Sequence, residues 1–307
     1  GARYFRKLYT DTRAGRLFAR RLDSYLPLCR RLKNEGVVER LPCAVATVEG
    51  GLKTQLDNGD TLVLFDFIDG LNVGCEEPMS DELFAQLGAL FGRLHARGAA
   101  LVRREDRAEQ YQVPFAGSLK KAFADLNALD SQARPGRIAL RDLLVPHADE
   151  VLGYLQQLME LQQRVRSLDV PQVLCHTDLH GDNLIVDAAG QLHALDWEGA
   201  LLAPAEHDLF MYIGDERFAE VFLPAYEREC GALQLRREVL AFYFYRRLLE
   251  DLADWFLRIL YEEQTDAQDQ SDLHYMRADC VEVWSYLPGS VAKVEEKLKS
   301  KGVDLFL

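Results

Sequence analysis

A short β-rich island at residues 172–197 interrupts a half of the chain otherwise patterned for helices, and it holds a dense cluster of polar side chains. Val173-Leu174-Cys175 reads as a buried strand that delivers the polar loop His176-Thr177-Asp178-Leu179-His180-Gly181-Asp182-Asn183. Leu184-Ile185-Val186 leaves the loop, Asp187-Ala188-Ala189-Gly190 turns the chain, and Leu192 to Leu195 returns it to Asp196-Trp197-Glu198. A tight hairpin of this kind carries Asp196 back beside Asn183. Asp178, Asn183 and Asp196 then converge between apolar walls. Phosphoryl transfer needs such a set: one carboxylate to orient an attacking hydroxyl and take its proton, and a carboxylate with an amide oxygen to hold Mg²⁺ on the phosphates.

A single loop aspartate is more often a turn former or cap, and H-x-D alone is a weak signal. The spacing H-x-D-x-x-x-x-N, followed one hairpin later by D-W-E, is specific. His176 is expected to be structural, bonding loop carbonyls or the segment around Asp196, because the loop needs a rigid frame. A rival chemistry uses the same letters: His176, Asp178 and His180, spaced H-x-D-x-H, as ligands of a hydrolytic metal site. It needs further ligands, and of the candidates His193 and His207 the first alternates within a hairpin strand and lacks a partner motif.

The first seventy residues read as strand, helix and antiparallel strands. Arg3 to Leu8 alternates, with Tyr4, Arg6 and Leu8 on one face and Phe5 and Lys7 on the other. Leu22, Leu26, Cys29 and Leu32 then recur at helical spacing up to Gly36, with Pro27 expected to kink or restart the helix. Strands are expected at Cys43 to Glu49, Gly51 to Leu56 and Thr61 to Phe67, the last two joined by the hairpin signal Asp57-Asn58-Gly59-Asp60. Beyond Asp69-Gly70, Ser80 caps a helix with Asp81 and Glu82 in its first turn, a Met79/Phe84 staple, and a stripe of Leu83, Leu87, Leu90 and Leu94 ending at Gly98. Helical patterns also occupy roughly 116–130, 139–167, 216–230, 234–263 and 270–287. The segment Leu64 to Gly70 is the natural hinge.

The stretch 174–209, with Cys175-His176-Thr177-Asp178-Leu179-His180-Gly181-Asp182-Asn183, Leu195-Asp196-Trp197-Glu198 and Glu206-His207-Asp208-Leu209, resembles the aminoglycoside phosphotransferase and choline-kinase family. Within it the chain looks most like the spectinomycin phosphotransferase branch, and Tyr245-Arg246-Arg247-Leu248-Leu249-Glu250-Asp251-Leu252 adds to the likeness. The resemblance runs from about residue 4 to about 260 and implies an α+β, protein-kinase-like two-lobed fold. The small antiparallel-sheet lobe would be 1–69, and the larger helical lobe, with catalytic loop, metal site and acceptor-binding helices, 70–307.

The same resemblance implies Asp178 as catalytic base, Asn183 and Asp196 as magnesium ligands, and Lys7 as the lysine on the nucleotide phosphates. Phe65, Asp66, Phe67 and Ile68 fall on the strand that pairs with adenine through its backbone. Asp208 would buttress the catalytic loop, and His176 and Glu198 would support the site, Glu198 either as charge behind the metal or as a solvent-facing residue. The family's lysine pairs with a helix glutamate; counting back from Gly36, that position is Asp23, which serves equally well as a helix cap. The family's glycine-rich strand-turn-strand does not precede Lys7, so an N-terminal segment is expected to be missing from this sequence. The expected cofactors are ATP and Mg²⁺.

Charge narrows the partner. Residues 1–40 carry eleven Lys and Arg against four acids, while the chain as a whole has a net charge of −13. A basic start suits phosphate; an acidic body disfavours duplex nucleic acid and draws cations. Glu250, Asp251, Asp254, Glu262, Glu263, Asp266, Asp269 and Asp272, with Arg258 the only base among them, suggest a cationic small-molecule acceptor such as an aminoglycoside or spectinomycin. Phe242, Tyr243, Phe244, Tyr245, Trp255 and Phe256 offer a stacking wall, although an aromatic-rich helix is more often core. Choline, homoserine or a sugar are alternative acceptors, and a nucleotide-binding pseudokinase is the alternative from another class. No run approaches the roughly 18 apolar residues of a membrane span, and Gly1-Ala2-Arg3-Tyr4-Phe5 lacks a secretory pattern. The six cysteines form no C-x-x-C pair, so reduced core thiols in a cytoplasmic monomer or weak dimer are expected.

Overall fold

A computed structural model of the chain describes residues 2–10, 13–74, 79–102, 108–284, 287–300 and 305–306. The chain packs as two compact units, one of residues 1–109 with 170–233 and the other of 110–169 with 234–307. The expected lobe boundary at residue 69/70 falls inside the first unit.

The first unit opens with strand β1 (Tyr4–Tyr9), helix α1 (Arg13–Ala19) and helix α2 (Leu22–Asn34). Strands β2 (Thr54–Gln55) and β3 (Thr61–Asp66) complete a three-stranded antiparallel sheet in the order β1-β3-β2. The register sets Lys7 opposite Val63, and Tyr9 shares the face of Phe5 and Lys7. Gly59, at φ 90°, makes the turn between β2 and β3. The strand expected at Cys43 to Glu49 reduces to one bridge, Ala44 to Phe65. Helix α2 runs through Pro27 without interruption, and Leu22, Leu26, Leu28, Cys29 and Leu32 are buried.

After β3 the chain passes through Phe67, Ile68 and Asp69 into β4 (Gly70–Asn72), which pairs with the hairpin of the β-rich island. A Cβ on Gly70 would lie 2.3 Å from the Val186 carbonyl oxygen, so only glycine allows this approach. Helix α3 (Asp81–Arg97) is capped by the Ser80 side chain, which accepts from the Leu83 N–H at 3.3 Å. Its Gly88 and Gly92 let the 218–230 segment close against it; a Cβ there would meet the Phe222 and Tyr226 carbonyls at 2.4 and 2.5 Å. Strands β5 (Val173–Cys175), β6 (Leu184–Asp187) and β7 (Leu192–Ala194) form the island, and β8 (Leu201–Ala203) follows it. β6 and β7 are the expected hairpin, and β5 pairs with β8.

The second unit is mainly helical, with helices Ala116–Asn127, Pro135–Leu144, Ala148–Val165, Arg237–Tyr261, Asp266–Met276 and Leu287–Ser300. The helical run expected at 139–167 is two helices. Pro146 lacks an N–H and clashes with the carbonyl four residues back, and a 3₁₀ turn at Val145–His147 takes its place. The 270–287 pattern is met by the end of the helix Asp266–Met276 and a π-helical turn at Arg277–Val281, and residues 285–286 lie outside the described ones. Phe242, Tyr243, Tyr245 and Phe256 are buried, so they are core and no stacking wall. The acidic run is less bare than its sequence: Asp251 pairs with Arg247 at 2.8 Å, Asp272 with Arg258 at 3.0 Å and Asp269 with Arg134 at 2.8 Å. The five described cysteines are free thiols, and Cys75 lies outside the described residues. Among the described residues, no helix is long and apolar enough to cross a membrane.

Candidate active site

The loop between β5 and β6 is held from beneath by Asp208. Its fully buried carboxylate accepts from the backbone N–H of His176 at 3.0 Å, the N–H of Thr177 at 2.6 Å and His95 Nε2 at 2.9 Å. Thr177 stands at φ 78°, a costly setting for a β-branched residue, and the Asp208 bond fixes it there. Gly199 is needed alongside, since a Cβ would come 2.5 Å from Thr177 Oγ1. His176 is buried, donates from Nε2 to the Leu195 carbonyl at 2.6 Å and faces the Asp178 N–H through Nδ1 at 3.4 Å. Burial holds its imidazole below the ordinary value, so the ring is a neutral strut between the loop and the hairpin end. Trp197 closes the frame, 4.6 Å edge-on to His176 and bonded through Nε1 to the Ala194 carbonyl at 3.0 Å.

With both nitrogens of His176 turned to backbone groups, the H-x-D-x-H metal set does not form. Among the described residues, His95, Cys175 and Asp208 alone bring three metal-ligand atoms within 4.8 Å of one another. Both His95 nitrogens are already bonded, to Asp208 and to the Tyr226 hydroxyl, and burial pushes the Cys175 thiol well up. That cluster is loop support.

Above the loop lies a cavity of about 220 Å³. Lys7, Phe65, Asp66, Phe67, Ile68, Asn183, Asp196 and Glu198, all singled out from sequence, line it together with Tyr25, Cys29, Pro42 and Trp197. Asp178 lies outside this lining, 43% exposed, with His180 Nε2 3.9 Å from its Oδ2. Asn183 Nδ2 donates to the Asp178 carbonyl at 2.7 Å, so the amide has only Oδ1 to offer the cavity. Asp196 sits in the left-handed region (φ 54°, ψ 58°), which an aspartate tolerates, and its carboxylate also faces the cavity. One amide oxygen and one carboxylate are hard donors that fit Mg²⁺.

Lys7 Nζ bonds Asp196 Oδ1 at 2.8 Å and Glu198 Oε1 at 2.5 Å. Burial pulls the ammonium pKa down, but the carboxylates of Glu198 and Asp196 outweigh it and hold Lys7 above its usual value. Glu198 Oε1 also accepts from Tyr9 Oη at 2.7 Å and Tyr25 Oη at 3.5 Å, and the two hydroxyls are 2.8 Å apart. Burial, then Glu198, push both phenol pKa values up, so the tyrosines stay neutral. Glu198 is therefore buried within the site, and the solvent-facing alternative falls.

Asp23 is the correction. It does not partner Lys7: it is 79% exposed and pairs with Lys53 at 2.7 Å, and it caps no helix, since α2 begins at Leu22 with Arg21 in the cap position and no side-chain cap. The cavity face of α2 carries Tyr25 and Cys29; two residues earlier, Asp23 is rotated about 200° away. Tyr9 and Tyr25 were not singled out from sequence. Tyr9 was findable, being two residues past Lys7 on the same strand face.

A family model described as the phosphotransferase enzyme family matches residues 3–243. The chain belongs to that family. No curated protein sequence matches this phosphotransferase. Solved structures share its fold at low identity. A spectinomycin phosphotransferase in complex with ADP and spectinomycin is 18% identical with a TM-score of 0.74, over 97% of this chain and 87% of that one. An aminoglycoside phosphotransferase from Alicyclobacillus acidocaldarius is 15% identical with a TM-score of 0.57, over 96% and 88%. An ethanolamine kinase from Plasmodium vivax is 15% identical with a TM-score of 0.53, over 93% and 78%. The expected mixed α and β kinase-like fold is the fold of this phosphotransferase.

Proposed function

We propose that this phosphotransferase transfers the terminal phosphoryl group of ATP to a hydroxyl of a small, polar, cationic molecule of the spectinomycin or aminoglycoside kind. The observation that carries the reading is the convergence of Lys7, Asn183 and Asp196 on one cavity, beside a loop that presents Asp178. The ADP-bound spectinomycin phosphotransferase, similar over 97% of this chain, supports the nucleotide and the acceptor class.

In this reading the backbone of Phe65 to Ile68 meets the base, and Lys7 meets the phosphates. Asn183 Oδ1 and Asp196 would hold Mg²⁺, which supplies charge neutralisation on the phosphates. Asp178 orients the acceptor hydroxyl and takes its proton as the O–P bond forms and ADP leaves. Asp208 and His176 keep the loop in place. Lobes at 1–69 and 70–307, a cytoplasmic location and a monomeric or weakly dimeric state belong to the same proposal.

The experiment is a coupled ATP-consumption assay across spectinomycin, aminoglycosides, choline, ethanolamine, homoserine and neutral sugars. Turnover with the cationic antibiotics is expected. Turnover with amino alcohols alone would move the acceptor to that class, and nucleotide binding without any turnover would mark a pseudokinase.

A further inference from the structure

Resting on the nucleotide site just proposed, we infer that Glu198, clamped by the hydroxyls of Tyr9 and Tyr25, is the acid that positions Lys7, in place of an acid on α2. A lysine that meets phosphate must be held extended, because a free ammonium on a four-carbon stem samples many rotamers. Two carboxylates hold it here, and they differ in kind. Asp196 is 52% exposed and offers its oxygens to the cavity, where the metal would claim them. The Glu198 side chain is only 7% exposed, and its Oε1 is shared among Lys7, Tyr9 and Tyr25. A buried carboxylate with a cation and neutral hydroxyl donors is satisfied where it stands, and it leaves Lys7 anchored when Asp196 turns to the metal.

The source of the acid matters. Glu198 belongs to the 3₁₀ turn Trp197–Gly199, immediately after Asp196, and Trp197 pins that turn to Ala194 and His176. One rigid turn thus sets both the metal carboxylate and the lysine. To this clamp helix α2 contributes the Tyr25 hydroxyl, so no acid on that helix has to swing in to hold Lys7. Asp23 is spent on Lys53.

The test is direct titration of ADP with magnesium into the full chain. Glu198→Gln should weaken binding about tenfold, as loss of a charge-assisted bond does, while Asp23→Asn binds like wild type. Tyr25→Phe should weaken it less, and this milder variant keeps the question open if Glu198→Gln melts early. The decisive readout is a double-mutant cycle: Lys7→Ala and Glu198→Gln together should cost little more than Lys7→Ala alone, whereas a merely structural Glu198 would give additive losses. Wild-type affinity in both Glu198→Gln and Tyr25→Phe, additive losses, or a loss confined to Asp23→Asn would overturn the inference. A wild type that binds no nucleotide would overturn the proposed function first, and this inference with it.

Discussion

The 2.8 Å ion pair between Lys7 and Asp196 joins the first strand to the end of the β6–β7 hairpin, residues 189 positions apart, across the cavity they both line. The amine therefore holds Oδ1 of the carboxylate proposed to bind Mg²⁺, and the pair would have to loosen if the metal took that oxygen. Asp196→Ala is expected to abolish the magnesium dependence of nucleotide binding. Its side chain is half-exposed, so the protein should stay folded, with a modest drop in melting temperature from placing alanine at φ 54°. Unchanged magnesium-dependent binding in a folded Asp196→Ala protein would remove Asp196 as a ligand.

Asp208 should be the costliest single position in the loop. Asp208→Ala orphans the buried N–H groups of His176 and Thr177 and the His95 ring, and it releases the left-handed Thr177. Losing the buried partner of several donors costs about 3–5 kcal/mol. Urea unfolding should show that loss as a lower midpoint at an unchanged slope. A loss under about 1 kcal/mol would mean the loop is held elsewhere.

The His176 imidazole titrates below its ordinary 6.5 because burial opposes its charge. The unfolded chain therefore binds a proton near pH 6.5 while the folded one does not, so this group's share of stability declines as pH falls below that value. Stability of the wild type measured between pH 7.5 and 5 should fall more steeply than that of His176→Asn. Parallel profiles would show that His176 titrates alike in both states.

How far the sequence reached follows from the range of each interaction. The loop and hairpin were legible because H-x-D-x-x-x-x-N and D-W-E lie within one local β-rich island, where turn chemistry at Asp187 to Gly190 fixes the return of the chain. The partner of Lys7 was not, because Glu198 comes from 191 residues away and only packing delivers it. Counting back from Gly36 found a carboxylate at Asp23 but ignored helix phase, which puts Tyr25 at the cavity instead. Local signals also lost to Pro146, which divides one periodic run into two helices. The acid-rich sequence of 250–272 hid the arginines that neutralise part of it, because Arg134 and Arg247 lie outside that span.

That partial neutralisation bears on the acceptor. If a cationic acceptor is steered by the acids that stay exposed, such as Glu250 and Glu262, its KM should rise with salt, since screening acts over about 8 Å at physiological ionic strength. A neutral sugar should respond little. A flat KM between low and 0.5 M salt with the true acceptor would favour an uncharged alcohol.

The sharpest prediction concerns Asp178, which stands on the loop that Asp208 and His176 hold and outside the lining of the proposed nucleotide cavity. Its proposed work is on the acceptor hydroxyl, so changing it should leave nucleotide affinity nearly intact. Asp178→Asn keeps the shape and a hydrogen-bonding oxygen but removes the charge that takes the proton. The turnover number is expected to fall by about 10²–10⁴-fold, the usual contribution of a positioned base. With the KM for ATP little changed, that loss marks an interaction made mainly in the transition state. An Asp178→Asn protein that turns over near the wild-type rate would assign the proton to another group, and His180, 3.9 Å away, would be the next to replace.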